Sequence, residues 1–230
     1  MKRVTLLTTA ALFAATAAWS YIHMDDFQSY DDGDDIAVVG PWTQFGNPIY
    51  CLDLGGDEKV ATYVGGETYY WIHQWDESDS MADFGASFDF YLADDGGDPK
   101  VSIFARAAGT VSYVLGIRPC RDEPRIVVQY WVPGNHTDLW ETTLDEPIPV
   151  EEWHNLKYYV HDEDPVNFQV YFDDEKIGSH SESVYIIPSG KIAIAGLDSP
   201  YDVYVDNVMQ LEENTSVAPA SLGEVKAVFK

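Results

Sequence analysis

The sequence predicts an all-β protein, a sandwich or barrel of antiparallel strands, and three observations support this. Residues 101–106, 111–117 and 167–172 form short alternating runs rich in β-branched and aromatic side chains. Clusters of Gly, Asp and Pro separate such runs, as at 94–97. Before residue 211 no segment keeps a helical period for three turns. Strands at this spacing are typical of β-sandwiches and barrels.

The clearest strand is the segment Phe84–Leu92, where every second residue is apolar. Successive side chains of a strand point to opposite faces. One face therefore carries only apolar residues, which are Phe84, Ala86, Phe88, Phe90 and Leu92. The opposite face carries Ser87, Asp89 and Tyr91. This pattern predicts a strand with one face in a core.

The first 20 residues are predicted to be a signal peptide. Lys2 and Arg3 precede the apolar run 4–18, which ends in small residues suited to cleavage near Ala18. The alternative is an N-terminal anchor, but the run is shorter than a membrane helix requires. We expect a secreted or cell-surface protein, with the periplasm also open, and no membrane insertion after cleavage.

The charge balance limits the partners. The chain has 39 acidic and 13 basic residues and a formal net charge of −26. Nucleic acids and anionic lipids require dense Lys and Arg, so neither is expected as a partner. Cations, cationic partners, neutral polymers and a salt-rich habitat all remain compatible with this charge.

The two cysteines predict one disulfide. Export implies an oxidising compartment, in which Cys51 and Cys120 can pair. In the chain-entropy model, a disulfide that closes a loop of about 70 residues stabilises the fold by roughly 4 kcal/mol. The alternative is two separate buried thiols.

Residues 21–211 are predicted to form one domain, followed by a polar linker and a short tail at 212–230. Ser221 and Glu224 fit a capping box, so residues 221–230 could begin a short helix. Such a segment is either a docking peptide or a frayed tail, and ten residues are too few for a stable isolated helix.

Several motifs resemble those of bacterial concanavalin A-like (laminin G-like) jelly-roll modules. The opening segment 25–36 followed by Trp42, the strand beginning at Trp153, the hairpin at 168–178 and the closing strand at 204–208 carry the resemblance. It covers residues 25–211 and implies a two-sheet antiparallel jelly-roll sandwich. Lectins, glycosidases, lyases and structural modules share this fold, so function must be argued from a site.

The resemblance also implies one structural calcium ion between the first and last strands. Carried over by position, its ligands would be Asp26 and Asp206, with Asp25 as a third candidate. Calcium prefers clustered carboxylate and carbonyl oxygens. The alternative is that these residues are solvated carboxylates at strand ends.

Catalysis by the glucanase mechanism is not expected. Glucanases of this fold place their carboxylates on alternate residues of one strand, and we find no such strand here. A lyase would use residues such as His73, Arg106, Tyr113 and Tyr130, but the sequence does not show that they converge.

Sugar binding makes fewer demands on the sequence, because it needs only aromatic platforms and a few polar groups. In a strand over 69–75, four large side chains share one face. The candidate residues are Tyr69, Trp71, His73 and Trp75, with Trp131 and Trp140 as a rim. The alternative is that these aromatic residues fill the sandwich. Trp153, by contrast, is predicted to plug the end of the core.

We therefore expect a secreted, non-catalytic jelly-roll module that binds a polysaccharide or a cell-surface component. The alternatives are a secreted glycoside hydrolase or lyase on the same fold, and a structural surface or matrix protein.

Overall fold

The structure is a computed structural model of the chain. It describes residues 19–56, 58–62, 71–93, 100–108, 111–120, 123–132, 135–162, 164–197 and 203–213. Residues 1–18 of the predicted signal peptide and the proposed short C-terminal helix lie outside the described residues, whereas the last two residues of that peptide, Trp19 and Ser20, begin the first strand. Among the helices of the described part, none is long and apolar enough to cross a membrane.

Fifteen strands and one helical turn make up the described chain. In chain order they are β1 (Trp19–Asp25), α1 (Ile36–Val39), β2 (Trp42–Gly46), β3 (Tyr50–Gly55), β4 (Glu58–Thr62), β5 (Trp71–Trp75), β6 (Phe84–Leu92), β7 (Lys100–Ala108), β8 (Val111–Cys120), β9 (Glu123–Val132), β10 (Asn135–Thr143), β11 (Trp153–His161), β12 (Val166–Phe172), β13 (Glu175–Glu182), β14 (Lys191–Leu197) and β15 (Val203–Glu213).

The strands form two antiparallel sheets, which confirms the predicted sandwich. The eight-stranded sheet has the order β13-β12-β11-β6-β15-β4-β3, and β1 also pairs with β15. The seven-stranded sheet has the order β10-β9-β8-β7-β14-β5-β2. Strands β1 and β15 each extend two residues beyond the predicted domain limits of 21 and 211.

The inner faces of the two sheets form one core. The five apolar residues predicted on one face of β6 are all fully buried in it. Burying a side chain of this size contributes about 1.5–3 kcal/mol relative to leaving it exposed. Alternation along β6 therefore places Ser87, Asp89 and Tyr91 on the outer face of the sheet, where the candidate site lies.

The opening and closing strands meet as expected. Strand β1 runs antiparallel to β15, with Asp25 opposite Val208. Asp25 then accepts hydrogen bonds from the Tyr30 hydroxyl at 2.7 Å and from the Trp42 indole N–H at 2.8 Å. Its carboxylate therefore ties the opening segment to β2 in the other sheet.

The predicted hairpin after β12 is present. Asp173 and Asp174 connect β12 to β13, and both have positive φ angles, 47° and 65°. Two central residues with positive φ are typical of a type I′ turn, whose twist matches that of the flanking strands. Aspartate tolerates this conformation better than most residues other than glycine.

The predicted disulfide between Cys51 and Cys120 is not formed, because Cys51 is a free, buried thiol. The two residues belong to different sheets, Cys51 in β3 and Cys120 at the end of β8. The Sγ atom of Cys51 lies 3.8 Å from the carbonyl oxygen of Phe27. Burial raises the pKa of this thiol to about 11, although the nearby Lys59 partly opposes the shift.

Candidate functional site

The outer face of the eight-stranded sheet carries the candidate site. On β11 the residues His154, Leu156 and Tyr158 point into the core. Alternation then places Trp153, Asn155 and Lys157 on the outer face. Residues directly opposite each other in adjacent strands share a face, so the strand register continues these positions across β6 and β15.

An aromatic strip crosses three strands on this face. We define it as Trp153 of β11, Tyr91 of β6 and Tyr204 of β15, which lie opposite one another in register. The ring centroids of Tyr91 and Trp153 are 5.7 Å apart, and those of Tyr91 and Tyr204 are 5.4 Å apart with nearly parallel planes. Trp153 is 38% exposed. The strip is therefore a nearly continuous aromatic surface open to solvent at one end.

The exposure of Trp153 corrects the prediction that it plugs the end of the core. The alternation along β11 is as expected, with Leu156, Tyr158 and Val160 buried. However, Trp153 is odd-numbered and these residues are even-numbered, so Trp153 belongs to the opposite face. The residue that does enter the core at this end is His154, whose ring stacks 5.3 Å from Phe172.

A polar row lies beside the strip. It consists of Asn155, Asp89 and Asp206, again in register, with Asn207. The Asn155 amide donates to Asp89 at 2.7 Å. The Asn207 amide nitrogen contacts Asp89 at 2.8 Å and Asp206 at 3.4 Å. The Asn207 amide thus links the two carboxylates of the row, and the Asn155 amide binds Asp89 alone.

Asn207 reaches both carboxylates because β15 has a bulge. The register with β6 shifts between Asp206 and Met209, and Asn207 has a φ of 48°. A bulge inserts an extra residue and redirects the local side chains. Asparagine is one of the few residues that adopt this conformation without a large cost.

The environment of Asp206 favours its protonated form. Burial, together with the nearby charges of Asp89, Asp26 and Glu58, raises its pKa to about 6, although the Asn207 backbone N–H opposes the shift. Asp206 therefore titrates close to neutrality rather than near the ordinary value for an aspartate.

A groove of about 350 Å³ adjoins the polar row. Ser87, Asp89, Asn155 and Lys157 line one side of it, and Met209 and Leu211 add apolar surface. The Lys157 ammonium pairs with Asp174 at 2.6 Å and lies 5.9 Å from the centre of the Tyr171 ring. The groove thus offers polar groups in fixed positions next to the aromatic strip.

Three of the aromatic residues that the sequence suggested for sugar binding have described side chains, and the structure does not bring these three together. Trp75 is 1% exposed, in the core, and stacks on Trp42 at a centroid distance of 5.7 Å. This corrects its expected outward orientation. Tyr69 and the side chains of Trp71 and His73 lie outside the described part of the structure.

Trp140 and Trp131 lie apart from the strip as well. Trp140 packs against Gly178 so closely that a β-carbon there would lie 2.1 Å from the indole ring. It therefore bridges the edges of the two sheets. Trp131 is half-buried on the outer face of the seven-stranded sheet, with its ring edge-on to Phe104 at 6.4 Å.

Two of the residues considered for a lyase are inaccessible to a substrate. Arg106 and Tyr113 are both fully buried. The Arg106 guanidinium donates to the carbonyl oxygens of Ala82, Asp162 and Ile187, each at 2.7 Å. It therefore holds three connecting segments together.

The predicted calcium ligands fit a metal ion only in part. The Asp25 carboxylate is occupied by the Phe27 N–H, the Tyr30 hydroxyl and the Trp42 indole. Asp26 and Asp206 remain close enough for Asp26 to raise the pKa of Asp206. Within the described ranges no group of three or more His, Cys, Asp or Glu residues could hold a metal ion.

Comparisons with known proteins support the fold. No protein-family model matches the chain, and no curated protein matches it. Among solved structures it is similar to a carbohydrate-binding module, CBM66, from Bacillus subtilis, with 19% identity, a TM-score of 0.56 and coverage of 75% of this chain and 96% of that one. It is also similar to a Bacillus subtilis protein of unknown function with a galectin-like fold, with 12% identity, a TM-score of 0.61 and coverage of 85% and 98%.

A third similar structure is a glycoside hydrolase family 16 endo-glucanase from Bacteroides ovatus, with 11% identity, a TM-score of 0.56 and coverage of 82% and 99%. At these identities the similarity concerns the fold. The chain is a concanavalin A-like jelly roll, as its motifs indicated.

Proposed function

We propose that the chain binds carbohydrate on the outer face of its eight-stranded sheet. The observation that carries the proposal is the aromatic strip, in which Tyr91 lies between Trp153 and Tyr204 outside the core. Aromatic rings supply flat apolar platforms with a polar edge, and they suit the apolar faces of sugar rings. No packing requirement of the core explains a tryptophan that is 38% exposed at this position.

The polar row supplies the second requirement of a sugar site, which is oriented hydrogen-bonding groups. Asp89 and Asp206 are hydrogen-bond acceptors for sugar hydroxyls, and Asn207 fixes their orientation from one side. The row and the strip occupy successive positions on the same three strands, so a single ligand can contact both. The names of the carbohydrate-binding module and the endo-glucanase with this fold agree with the proposal.

The test is a binding screen against soluble and insoluble polysaccharides, followed by titration of the best ligand. Trp153→Ala is expected to weaken binding at least about tenfold, which corresponds to roughly 1.4 kcal/mol. Phe45→Ala is the matched control, because Phe45 is an aromatic residue of similar exposure, 37%, in the other sheet. Equal effects of the two substitutions, or no binding to any polysaccharide, would contradict the proposal.

A glycan-cleaving enzyme is the second candidate, favoured by the adjacent carboxylates Asp89 and Asp206. Glycosidases use two carboxyl groups, one of them protonated as the general acid. Asp206, whose pKa is raised to about 6, suits the acid and Asp89 the second group. Incubation with the bound polysaccharide and assay for new reducing ends tests this. Activity that disappears in both Asp89→Asn and Asp206→Asn supports it, and no product with the native chain excludes it for that polysaccharide.

Calcium binding by Asp26 and Asp206 is also proposed, because a cation would offset the charge repulsion that, after burial, contributes to the raised pKa of Asp206. Calcium chloride should then raise the melting temperature relative to EDTA, and Asp206→Asn should abolish this rise. An unchanged melting temperature of the native chain would count against the ion.

Secretion is proposed from the signal-like segment. Strand β1 begins at Trp19, so cleavage after Ala18 would leave every described strand intact. Mass spectrometry of protein recovered from the culture medium should find an N-terminus near residue 19, whereas an intact Met1 in cell-associated protein would contradict export.

A further inference from the structure

A second groove lies on the same face, at the other end of β11. It has a volume of about 580 Å³ and spans β11, β12 and β13. Its polar lining consists mainly of His161, Asn167, Gln169, Lys176, Ser179 and Ser181. Trp153 and His161 are separated by eight positions of one strand, or roughly 26 Å. The strip and this basic groove therefore lie along one continuous strand face.

The basic groove differs in lining from the strongly acidic surface of the rest of the protein. The chain has three times as many acidic as basic residues, 39 against 13, yet no acidic residue is among those that line this groove. The basic side chains that face it are Lys176 and His161, whereas His180 lies opposite the core residue Phe168 and its ring stacks on Phe168. The Lys176 ammonium donates a hydrogen bond to the neutral Gln169 amide oxygen at 3.2 Å. Among the described residues, no ion pair includes Lys176.

Gln169 lines the groove and uses its amide oxygen as an acceptor within the protein. Its Oε1 accepts hydrogen bonds from the Tyr171 hydroxyl at 3.0 Å and from Lys176 at 3.2 Å. Because the amide oxygen is engaged twice, the amide nitrogen points away from these two residues and keeps its N–H groups for another acceptor. Gln169 and Lys176 together thus present N–H donors to a ligand.

The nearest carboxylates are engaged by the two histidines. His161 Nδ1 lies 2.8 Å from Asp162, and His180 Nε2 lies 3.6 Å from Glu182. Asp162 also accepts from the Asn167 amide at 2.8 Å, a bond that lowers its pKa despite some opposing desolvation. Glu182 accepts two further backbone N–H bonds. These two acids keep their negative charge, but they contact groups other than Lys176 and Gln169 and so leave the N–H donors of those two residues to a ligand.

We infer that the basic groove binds the carboxylate groups of an acidic polysaccharide, so that the glycan ligand of the aromatic strip contains uronic acid residues. The inference rests on the proposed function, because the strip supplies the stacking surface and the groove supplies recognition of charge. At 0.15 M ionic strength the Debye length is about 8 Å, so the remote negative charges of the protein are largely screened and the groups lining the groove decide the interaction.

The experiment compares polygalacturonate with its fully methyl-esterified form, which has the same backbone without the charge, by titration at 0.15 M salt. The native chain should prefer the acid form. Lys176→Gln should weaken binding of the acid form about threefold to fivefold and leave the affinity for the methyl-esterified form unchanged. Lys191→Gln is the matched control, because it removes one positive charge from the seven-stranded sheet and gives the same net charge.

The outcomes separate this inference from the proposed function. Loss of binding to both forms in Trp153→Ala, with loss of the acid preference in Lys176→Gln, supports both. Equal affinity of the native chain for the two forms, or the same effect of Lys176→Gln and Lys191→Gln, overturns the inference alone. Binding of neutral polysaccharides without binding of polygalacturonate or alginate also overturns the inference. If the chain binds no polysaccharide, both the inference and the proposed function are overturned.

Discussion

Tyr91 and Trp153 lie side by side on neighbouring strands with ring centroids 5.7 Å apart, and both rings are on the outer face of the sheet. Directly behind them on the same strands, Phe90 and His154 pack in the core with ring centroids 5.6 Å apart. The two strands thus carry an aromatic pair on each face. One pair stabilises the sandwich, and the other is available to a ligand.

This arrangement predicts different stability costs for two tryptophans. Trp75→Ala should destabilise the fold by about 3–5 kcal/mol, because it removes a fully buried side chain. Trp153→Ala should cost no more than about 1 kcal/mol, because the side chain is partly exposed. Urea denaturation followed by circular dichroism measures both. Similar costs for the two variants would contradict their assignment to opposite environments.

Asp206 predicts a pH-dependent stability. Its pKa is about 6 in the fold and about 3.9 when unfolded, so the folded state binds the proton more tightly. Its contribution to stability is therefore full at low pH and is lost as the pH rises through about 4 to 6. In EDTA at pH 7, Asp206→Asn should stabilise the fold by about 1 kcal/mol, after allowance for partial exposure.

The advantage of Asp206→Asn should disappear below about pH 4. Asp145→Asn is the control, because it removes the same charge from an exposed turn and should not change the pH profile. A stabilisation that is independent of pH would show that the Asp206 carboxyl is not the responsible group.

Asp25 should be structural rather than a metal ligand. Asp25→Ala removes the acceptor of the Tyr30 hydroxyl and of the Trp42 indole N–H. Leaving two such donors without a partner should cost about 2–4 kcal/mol. Thermal unfolding with calcium chloride and with EDTA measures the effect, which should be the same in both. A cost that appears only with calcium would assign Asp25 to a metal site instead.

The free thiol of Cys51 predicts that reduction does not affect stability. Dithiothreitol should leave the melting temperature of the protein unchanged, because Cys51 forms no disulfide. Native Cys51 should also resist thiol reagents, since it is 1% exposed and its pKa of about 11 keeps it protonated. A marked fall in melting temperature on reduction would restore the bridge to Cys120.

The strands and turns could be predicted because they depend on local pattern. Alternation along Phe84–Leu92 identified the buried face, and the Asp173–Asp174 turn followed from the two strands around it. The pairing of the first and last strands follows from the requirement that the sandwich close, and it is present as β1 with β15. Each of these features needs only neighbouring residues or the closure of the sandwich.

The candidate site could not be predicted in the same way, because it depends on register between strands that are distant in sequence. Tyr91, Trp153 and Tyr204 come from strands separated by about 50 residues or more, and no local pattern aligns them. Trp153 is also the first residue of its strand, so no preceding strand residue indicates which face its side chain lies on. Counting alternation back from Leu156 would have placed it outward.

The most direct test of carbohydrate binding by the aromatic strip is to titrate the best polysaccharide ligand into the native chain, Trp153→Ala and Trp131→Ala by calorimetry. Trp131 is the half-buried tryptophan on the outer face of the opposite sheet. We predict at least about tenfold weaker binding for Trp153→Ala and an affinity within about twofold of the native value for Trp131→Ala. Loss of binding in Trp131→Ala, with Trp153→Ala unchanged, would place the ligand on the seven-stranded sheet and contradict the proposed site.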